Sequence, residues 1–232
     1  MALNQVQRKQ VMKQLADHQH TRYNVDIHLS SDMMLLGFTV NQNVMRPERT
    51  TSLRLARYLW ENHQIYRDKE ALDMGCGCGL QGITMAINGA GYVHFSDISP
   101  DAFANTVENV HQFCPKGKAT IMVADLFEKM TRKVDVIVFD HPFFPESPDC
   151  YEPVAISMLD PGTLLQRFLQ DAKGFLNDAG RIIMPFFQLA GPENDPEVQG
   201  PKNGYDVKSL ASIDVTEGLQ QGRVSISELR PK

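Results

Sequence analysis

The run Asp73-Met74-Gly75-Cys76-Gly77-Cys78-Gly79 follows a short apolar segment, residues 71–74, and leads into a helical pattern over residues 80–88. A strand that hands over to a helix through alternate glycines can turn sharply and approach a ligand closely, because no Cβ stands in the way. Gly77, Gly79 and Gly82 also satisfy G-x-G-x-x-G, a pattern that alone is weak and raises a nicotinamide dinucleotide.

Downstream, strands and helices alternate. Residues 92–96 read as a strand ending in Asp97-Ile98-Ser99-Pro100, with Ser99 as N-cap and Pro100 at the first helical position. Phe103, Val107 and Val110 are expected to form that helix's buried stripe. Further strands fall at 120–124 and 134–139, the second apolar enough to be buried on both faces. Leu164, Leu165, Phe168, Leu169, Ala172 and Phe175 mark another helix, which Gly180 is expected to end before a strand over 181–187. Residues 191–204, rich in Pro, Gly and acids, read as a long surface loop, and 207–215 and 223–229 as two last strands. Such βα repetition predicts an α/β fold with a mostly parallel, doubly wound sheet and an antiparallel C-terminal hairpin. Ligands of such sheets sit at the carboxyl ends of the strands, near the switch point.

Upstream, Leu3, Val6, Val11 and Leu15 share a helical face over residues 3–16. Alternation over 23–45, with Ser30-Ser31-Asp32 as the turn, predicts a β-hairpin. A helix over 50–62 should face Leu53, Ala56, Leu59 and Trp60 inward. The organisation expected is therefore an extension over residues 1–49, a candidate substrate lid, and a main domain over 50–232.

Composition narrows the function. With 42% hydrophobic residues, the 232-residue chain can bury enough surface to offset its entropy, which excludes disorder of the whole. Its 23 basic and 28 acidic residues give a net charge of −5, which disfavours nonspecific binding to nucleic acid. No apolar run approaches the roughly 20 residues of a membrane span, and residues 1–17 lack the apolar core of a signal peptide. Four cysteines, two of them as Cys76-Gly77-Cys78, fit neither a disulfide framework nor a zinc site. No metal and no membrane partner are expected, and the cytoplasm is the expected compartment. Oligomeric state does not follow from the sequence.

Three acids end three successive strands: Asp73, Asp97 and Asp125. A lone aspartate at such a place is usually a solvated loop acid. Together they match S-adenosylmethionine: an acid beside the glycines for its cationic amino-acid part, Asp97 for ribose hydroxyls, Asp125 for the adenine amino group. A pyrophosphate would find Asp73 unwelcome, which ranks the nicotinamide oxidoreductase last.

Residues 71–140 resemble class I S-adenosylmethionine-dependent methyltransferases through the glycine loop, Asp97-Ile98-Ser99-Pro100 and Asp125-Leu126-Phe127. More narrowly, the chain resembles the HemK-type glutamine N-methyltransferases of release factors and related small-domain methyltransferases. Residues 38–51 (FTVNQNVMRPERTT), Glu152-Pro153 and Asp160-Pro161-Gly162 echo that group, and the resemblance covers about 36–187. It implies a Rossmann-like sheet and a cofactor held by Asp73, Gly75, Cys76, Gly77, Gly79, Asp97, Ile98, Asp125, Leu126 and Asp140.

In that group the fourth strand ends in Asn or Asp, two prolines and an aromatic; here it ends in Asp140-His141-Pro142-Phe143, followed by Phe144-Pro145. Asp140, His141, Pro142 and Phe143 are the catalytic candidates. A planar nitrogen must turn its lone pair toward the methyl group while oxygens hold its protons. Asp140 and the His141 carbonyl would supply the oxygens, and Phe143 a stacking face. Asp140 stands where the glutamine-modifying enzymes carry Asn, and His141 replaces the first proline. His141 is either a base, with an ordinary pKa of ~6.5, or a cap packed beside the cofactor, with equal weight. Of Phe143 and Phe144, one is expected in the core and one in the pocket. Only about 20 residues precede the hairpin where HemK-type enzymes carry a helical substrate domain, so release-factor recognition does not transfer. The expected function is N-methylation of a protein side chain, nucleobase or small molecule. A non-catalytic S-adenosylmethionine-binding partner subunit is the alternative.

Overall fold

The computed structural model describes residues 3–150, 153–216 and 221–232. The elements run α1 (Gln5–His18), β1 (Tyr23–His28), β2 (Met34–Val40), α2 (Thr51–Glu61), β3 (Glu70–Met74), α3 (Leu80–Ile87), β4 (Tyr92–Asp97), α4 (Pro100–Phe113), β5 (Ala119–Val123) and β6 (Val134–Phe139). There follow α5 (Thr163–Phe175), β7 (Leu176–Phe187), α6 (Pro196–Lys202), β8 (Tyr205–Val215) and β9 (Gly222–Pro231). Seven strands form one sheet in the order β5-β4-β3-β6-β7-β9-β8, and β1 pairs with β2 apart from it. Strands β5 to β7 run parallel through β3, and β9 inserts antiparallel between β7 and β8. From β3 the chain steps outward to β5, then returns to the other side of β3 as β6. That reversal is the switch point, and it opens a crevice at the carboxyl ends of β3 and β6.

The sheet is buried from both sides. The hairpin, α2 and α3 pack on one face around Phe38, Leu55, Leu59, Ile83 and Phe95. On the other, α5 covers Leu72, Ile137 and Ile182 through Leu165, Phe168 and Leu169. Gly82 allows α3 to lie close to the sheet: a Cβ there would stand 2.1 Å from Cε1 of the fully buried Phe95. Gly82→Ala should therefore cost about 1–3 kcal/mol or more through overpacking. A thermal melt indistinguishable from wild type would contradict this packing.

Several expectations need correcting. The buried face of α4 is polar: Asn105, Thr106 and Asn109 are fully buried, while Val107 is exposed and Phe103 and Val110 only half-buried. The reason lies in β2, whose backbone would otherwise lack partners on this side. Asn105 and Asn109 each donate to the Thr39 carbonyl at 3.0 and 2.8 Å, and accept from the Asn41 and Thr39 amides. Asn109 also donates to the Cys78 carbonyl, linking hairpin to glycine loop. On α1 the inward face is Gln7, Val11, Gln14, Leu15 and His18, and Val6 points to solvent. In α2, Leu55 joins Ala56 and Leu59 in the core, while Leu53 and Trp60 are half-buried. Gly180 does not end α5, which stops at Phe175. It lies in an irregularity of β7 between the Val134–Leu176 and Val136–Arg181 pairs, so tight that a Cβ would meet the Asn177 carbonyl at 2.8 Å. Residues 191–204 are not a surface loop. Asp195 caps α6 with Pro196 at its first position, and Asn194, Gln199 and Gly200 are buried. Glu152, part of the family echo, lies outside the described residues.

Candidate active site

A cavity of about 430 Å³ occupies the crevice at the carboxyl ends of the central strands. Its floor is the glycine loop, where Gly75, Gly77 and Gly79 all take positive φ. Gly77, at φ +56°, has nothing within 4 Å of where a Cβ would be, so its backbone faces open space. Asp97 at the end of β4 holds this loop. Its Oδ2 accepts from the Gly77 amide and its Oδ1 from the Ser99 amide, both at 2.9 Å. Thr106 on α4 donates to the Gly77 carbonyl at 2.9 Å.

Asp73 lies behind the loop rather than on the cavity wall, as does Gly79. Its carboxylate accepts from the Gly82 amide at 2.8 Å. Burial pushes Asp73 up to about 8, helped by Asp97 and Asp140 and opposed by the Gly82 amide. Burial also raises Asp97 against its amide partners. The pole at the strand ends is thus acidic and poorly solvated.

Asp140, just past β6, is gripped by α2. Thr51 Oγ1 donates to Oδ1 at 3.0 Å, and Ser52 Oγ to Oδ2 at 2.5 Å. Burial pushes Asp140 up to about 6, against the pull of these hydroxyls. His141 is buried, and its Nε2 lies 2.8 Å from the Asn194 carbonyl. A carbonyl only accepts, so Nε2 carries the proton. The ring meets Phe143 edge-on at 5.1 Å and lies near-parallel to Phe186 at 6.3 Å. Burial holds His141 down to about 4, hence neutral. Phe143 and Phe144 are both buried and both line the cavity, rather than dividing between core and pocket.

Asn194, from the segment misread as a loop, ties this region together. Its Nδ2 donates to the Phe143 and Asp160 carbonyls at 3.1 and 2.7 Å, while its backbone carbonyl accepts from His141 Nε2. The Phe144 amide donates to the Met158 carbonyl at 3.0 Å, and the Asp160 amide to the Phe144 carbonyl at 2.9 Å. The Asp160 carboxylate in turn caps α5, accepting from the amides of Gly162, Thr163, Leu164 and Leu165.

Asp125 lines the cavity but pairs with Arg167 of α5 at 2.7 Å. Leu126 beside it adopts φ +49°, an uncommon conformation for a side chain of this kind. Ile98 stands half-exposed at the rim. The cavity wall thus gathers Gly75, Cys76, Gly77, Asp97, Ile98, Asp125, Leu126, Asp140, His141, Pro142 and Phe143 from the sequence-expected set. Thr51, Ser52, Asn194 and Arg167 were not foreseen. For Asn194 a signal existed in the following Asp195-Pro196, a helix start. On the remaining side Gln14 of α1 and Asn43, Val44, Met45 and Pro47 close the wall. There α1 is anchored by Gln7 to the Ala190 carbonyl at 2.8 Å and by Asp17 to Arg49 at 2.8 Å. Among the described residues no group of His, Cys, Asp and Glu is arranged to hold a metal, and no helix is long and apolar enough to cross a membrane.

Residues 51–188 match the family model for the methyltransferase small domain. A candidate protein N5-glutamine methyltransferase of Methanocaldococcus jannaschii is 32% identical over 162 residues, covering 68% of this chain and 81% of that protein. An electron transfer flavoprotein beta subunit lysine methyltransferase of Xenopus laevis is 48% identical over 48 residues, 21% of this chain and 20% of that one. Among solved structures, a 16S rRNA N2 methyltransferase of T. thermophilus, in complex with AdoMet and guanosine, superposes with a TM-score of 0.63. That match is 17% identical and covers 92% of this chain and 51% of the other.

Proposed function

Because this chain belongs to the methyltransferase small-domain family and is an S-adenosylmethionine-dependent methyltransferase, we propose that the cavity methylates a planar nitrogen. The observation that carries this reading is Asp140, a half-buried carboxylate at the end of β6 held at both oxygens and facing the same cavity as the glycine loop. The residues present fit the cofactor. A sulfonium and an ammonium group suit a pole where Asp97 and Asp140 add to the burial that raises Asp73, and Gly77 leaves room for close approach. In this assignment Gly75, Cys76, Gly77 and Gly79 shape the loop, Asp97 takes the ribose hydroxyls, and Ile98, Asp125 and Leu126 border the adenine. Asp73, which burial pushes up to about 8 and so keeps mostly uncharged near neutral pH, supports the loop from beneath by accepting from the Gly82 amide.

When bound, the cofactor supplies a methyl group already activated on sulfur, so no strong base is required. The protein's work is alignment, which can contribute on the order of 7–11 kcal/mol. Asp140 and the His141 carbonyl hold the protons of the acceptor nitrogen, and Phe143 with Pro142 bounds its plane. His141 serves as a strut rather than a base: its Nε2–H is held by the Asn194 carbonyl, and burial, which lowers its pKa to about 4, makes it a poor proton acceptor near neutral pH. In this reading Gln14, Asn43, Val44, Met45 and Pro47 bound the acceptor side of the cavity. The charged residues lining the cavity are Asp97, Asp101, Asp125, Asp140, Asp149 and Asp160 against Arg167. That balance favours a neutral or cationic acceptor over one dense in phosphates.

Calorimetric titration with S-adenosylhomocysteine beside NADH tests the cofactor assignment: micromolar binding of the first alone is expected, and NADH binding instead would overturn it. A catalytically silent binding subunit would bind S-adenosylhomocysteine yet transfer no labelled methyl group to protein, RNA or small amines. Transfer should depend on pH through Asp140. With its pKa raised to about 6, the acceptor form is lost as pH falls through that value, so the rate should climb from pH 5 to 7 and then level. A rate that increases toward acid would remove Asp140 from this role.

A further inference from the structure

We propose that Thr51 and Ser52, the opening residues of α2, are positioning residues for methyl transfer: their hydroxyls fix how Asp140 presents its carboxylate and hold it as a proton acceptor. The inference rests on the role given to Asp140 above. Thr51 and Ser52 lie almost ninety residues before the strand-end motif, yet each oxygen of Asp140 has its own hydroxyl, Oδ1 from Thr51 at 3.0 Å and Oδ2 from Ser52 at 2.5 Å. With a donor at each oxygen, rotation of the carboxylate is blocked on both sides. An ionised carboxylate has about four lone-pair sites, so two are spent on this grip and the rest are left for an acceptor.

A hydroxyl carries a single proton. While both donate, Asp140 accepts at both oxygens; a proton on Asp140 would occupy a site left for the acceptor and weaken the hydrogen bond that its oxygen accepts. The arrangement therefore opposes the environment. Burial favours the protonated form, and the carboxylates of Asp73 from β3 and Asp97 from β4 share the same pole. His141 beside it is neutral. On α2 the charged neighbour is Arg54, whose guanidinium donates to the Thr50 carbonyl at 2.8 Å. The first turn of this 11-residue helix also turns its positive pole toward anions. The turn is itself anchored, because Gln81 of α3 donates to the Ser52 carbonyl at 3.3 Å. The glycine-loop helix and the acceptor carboxylate are thereby held in one frame.

Carbon-13 carboxyl NMR of the whole protein labelled at aspartate follows Asp140 without any acceptor present, with Asp140→Asn identifying its signal. In wild type the titration should centre near about 6. In Ser52→Ala and in Thr51→Val it should move up by about one pH unit, and Ser52→Thr should restore it. The acid limb of the methyl-transfer rate should move with it. An Asp140 titration unchanged in both Ser52→Ala and Thr51→Val would overturn the proposal. Should Thr51→Val fail to fold, the Ser52→Ala and Ser52→Thr pair decides alone. Full turnover in Asp140→Ala would overturn the role of Asp140 itself, and with it the role of Thr51 and Ser52, whatever the titration shows.

Discussion

Asp140→Ala should lower methyl transfer by about 10²–10⁴-fold while S-adenosylhomocysteine still binds. The loss follows from geometry rather than from missing base strength. Without the carboxylate, the acceptor nitrogen keeps only the His141 carbonyl for its protons and loses the orientation of its lone pair. The hydroxyls of the buried Thr51 and the half-buried Ser52 would be left without their shared partner. The fold should survive, because burial works against the ionised Asp140 in the native state. Asp140→Asn separates charge from shape: its amide oxygen still accepts at one side, so it should retain more activity than alanine. Single-turnover rates with labelled donor, run beside calorimetry, measure both quantities. Turnover close to wild type in the alanine variant would remove Asp140 from the mechanism.

Asp97→Ala should weaken S-adenosylhomocysteine binding by about a hundredfold. Two losses add. The variant strands the Gly77 and Ser99 amides, which Asp97 now accepts from at 2.9 Å each, and it removes the proposed partner of the ribose hydroxyls. An unpaired buried polar group costs about 1–3 kcal/mol, and about 1.4 kcal/mol is tenfold in affinity. Asp97→Asn keeps one oxygen and should fall between. Affinity within twofold of wild type in the alanine variant would mean that the cofactor does not lie along β4.

The sequence was most legible where local chemistry and tertiary role coincide. The step from β3 through glycines to α3, and the Ser99-Pro100 start of α4, are written in residues that few other conformations favour. Legibility failed where tertiary contacts overrule a pattern. In α4 the apolar period pointed to Val107, but the helix buries Asn105 and Asn109 because β2 needs hydrogen-bond partners there. In 191–204, proline and glycine density masked an N-cap and a short helix. Within the site, the carboxylates were foreseen and their supports were not. Asp140 announces itself at a strand end, whereas Thr51, Ser52 and Asn194 matter only through contacts with residues far away in the chain.

The His141–Asn194 contact gives the acceptor loop an unusual kind of stiffness. A proline locks its own φ whatever surrounds it; a histidine is rigid only while its neighbours are in place. The order of residues 140–144 is therefore shared with a segment some fifty positions later, through bonds running from Asn194 to His141, Phe143 and Asp160. Joined by these bonds, the two stretches should open and close together in local unfolding. Changes around residue 194 thus hold a veto over chemistry performed at residue 140.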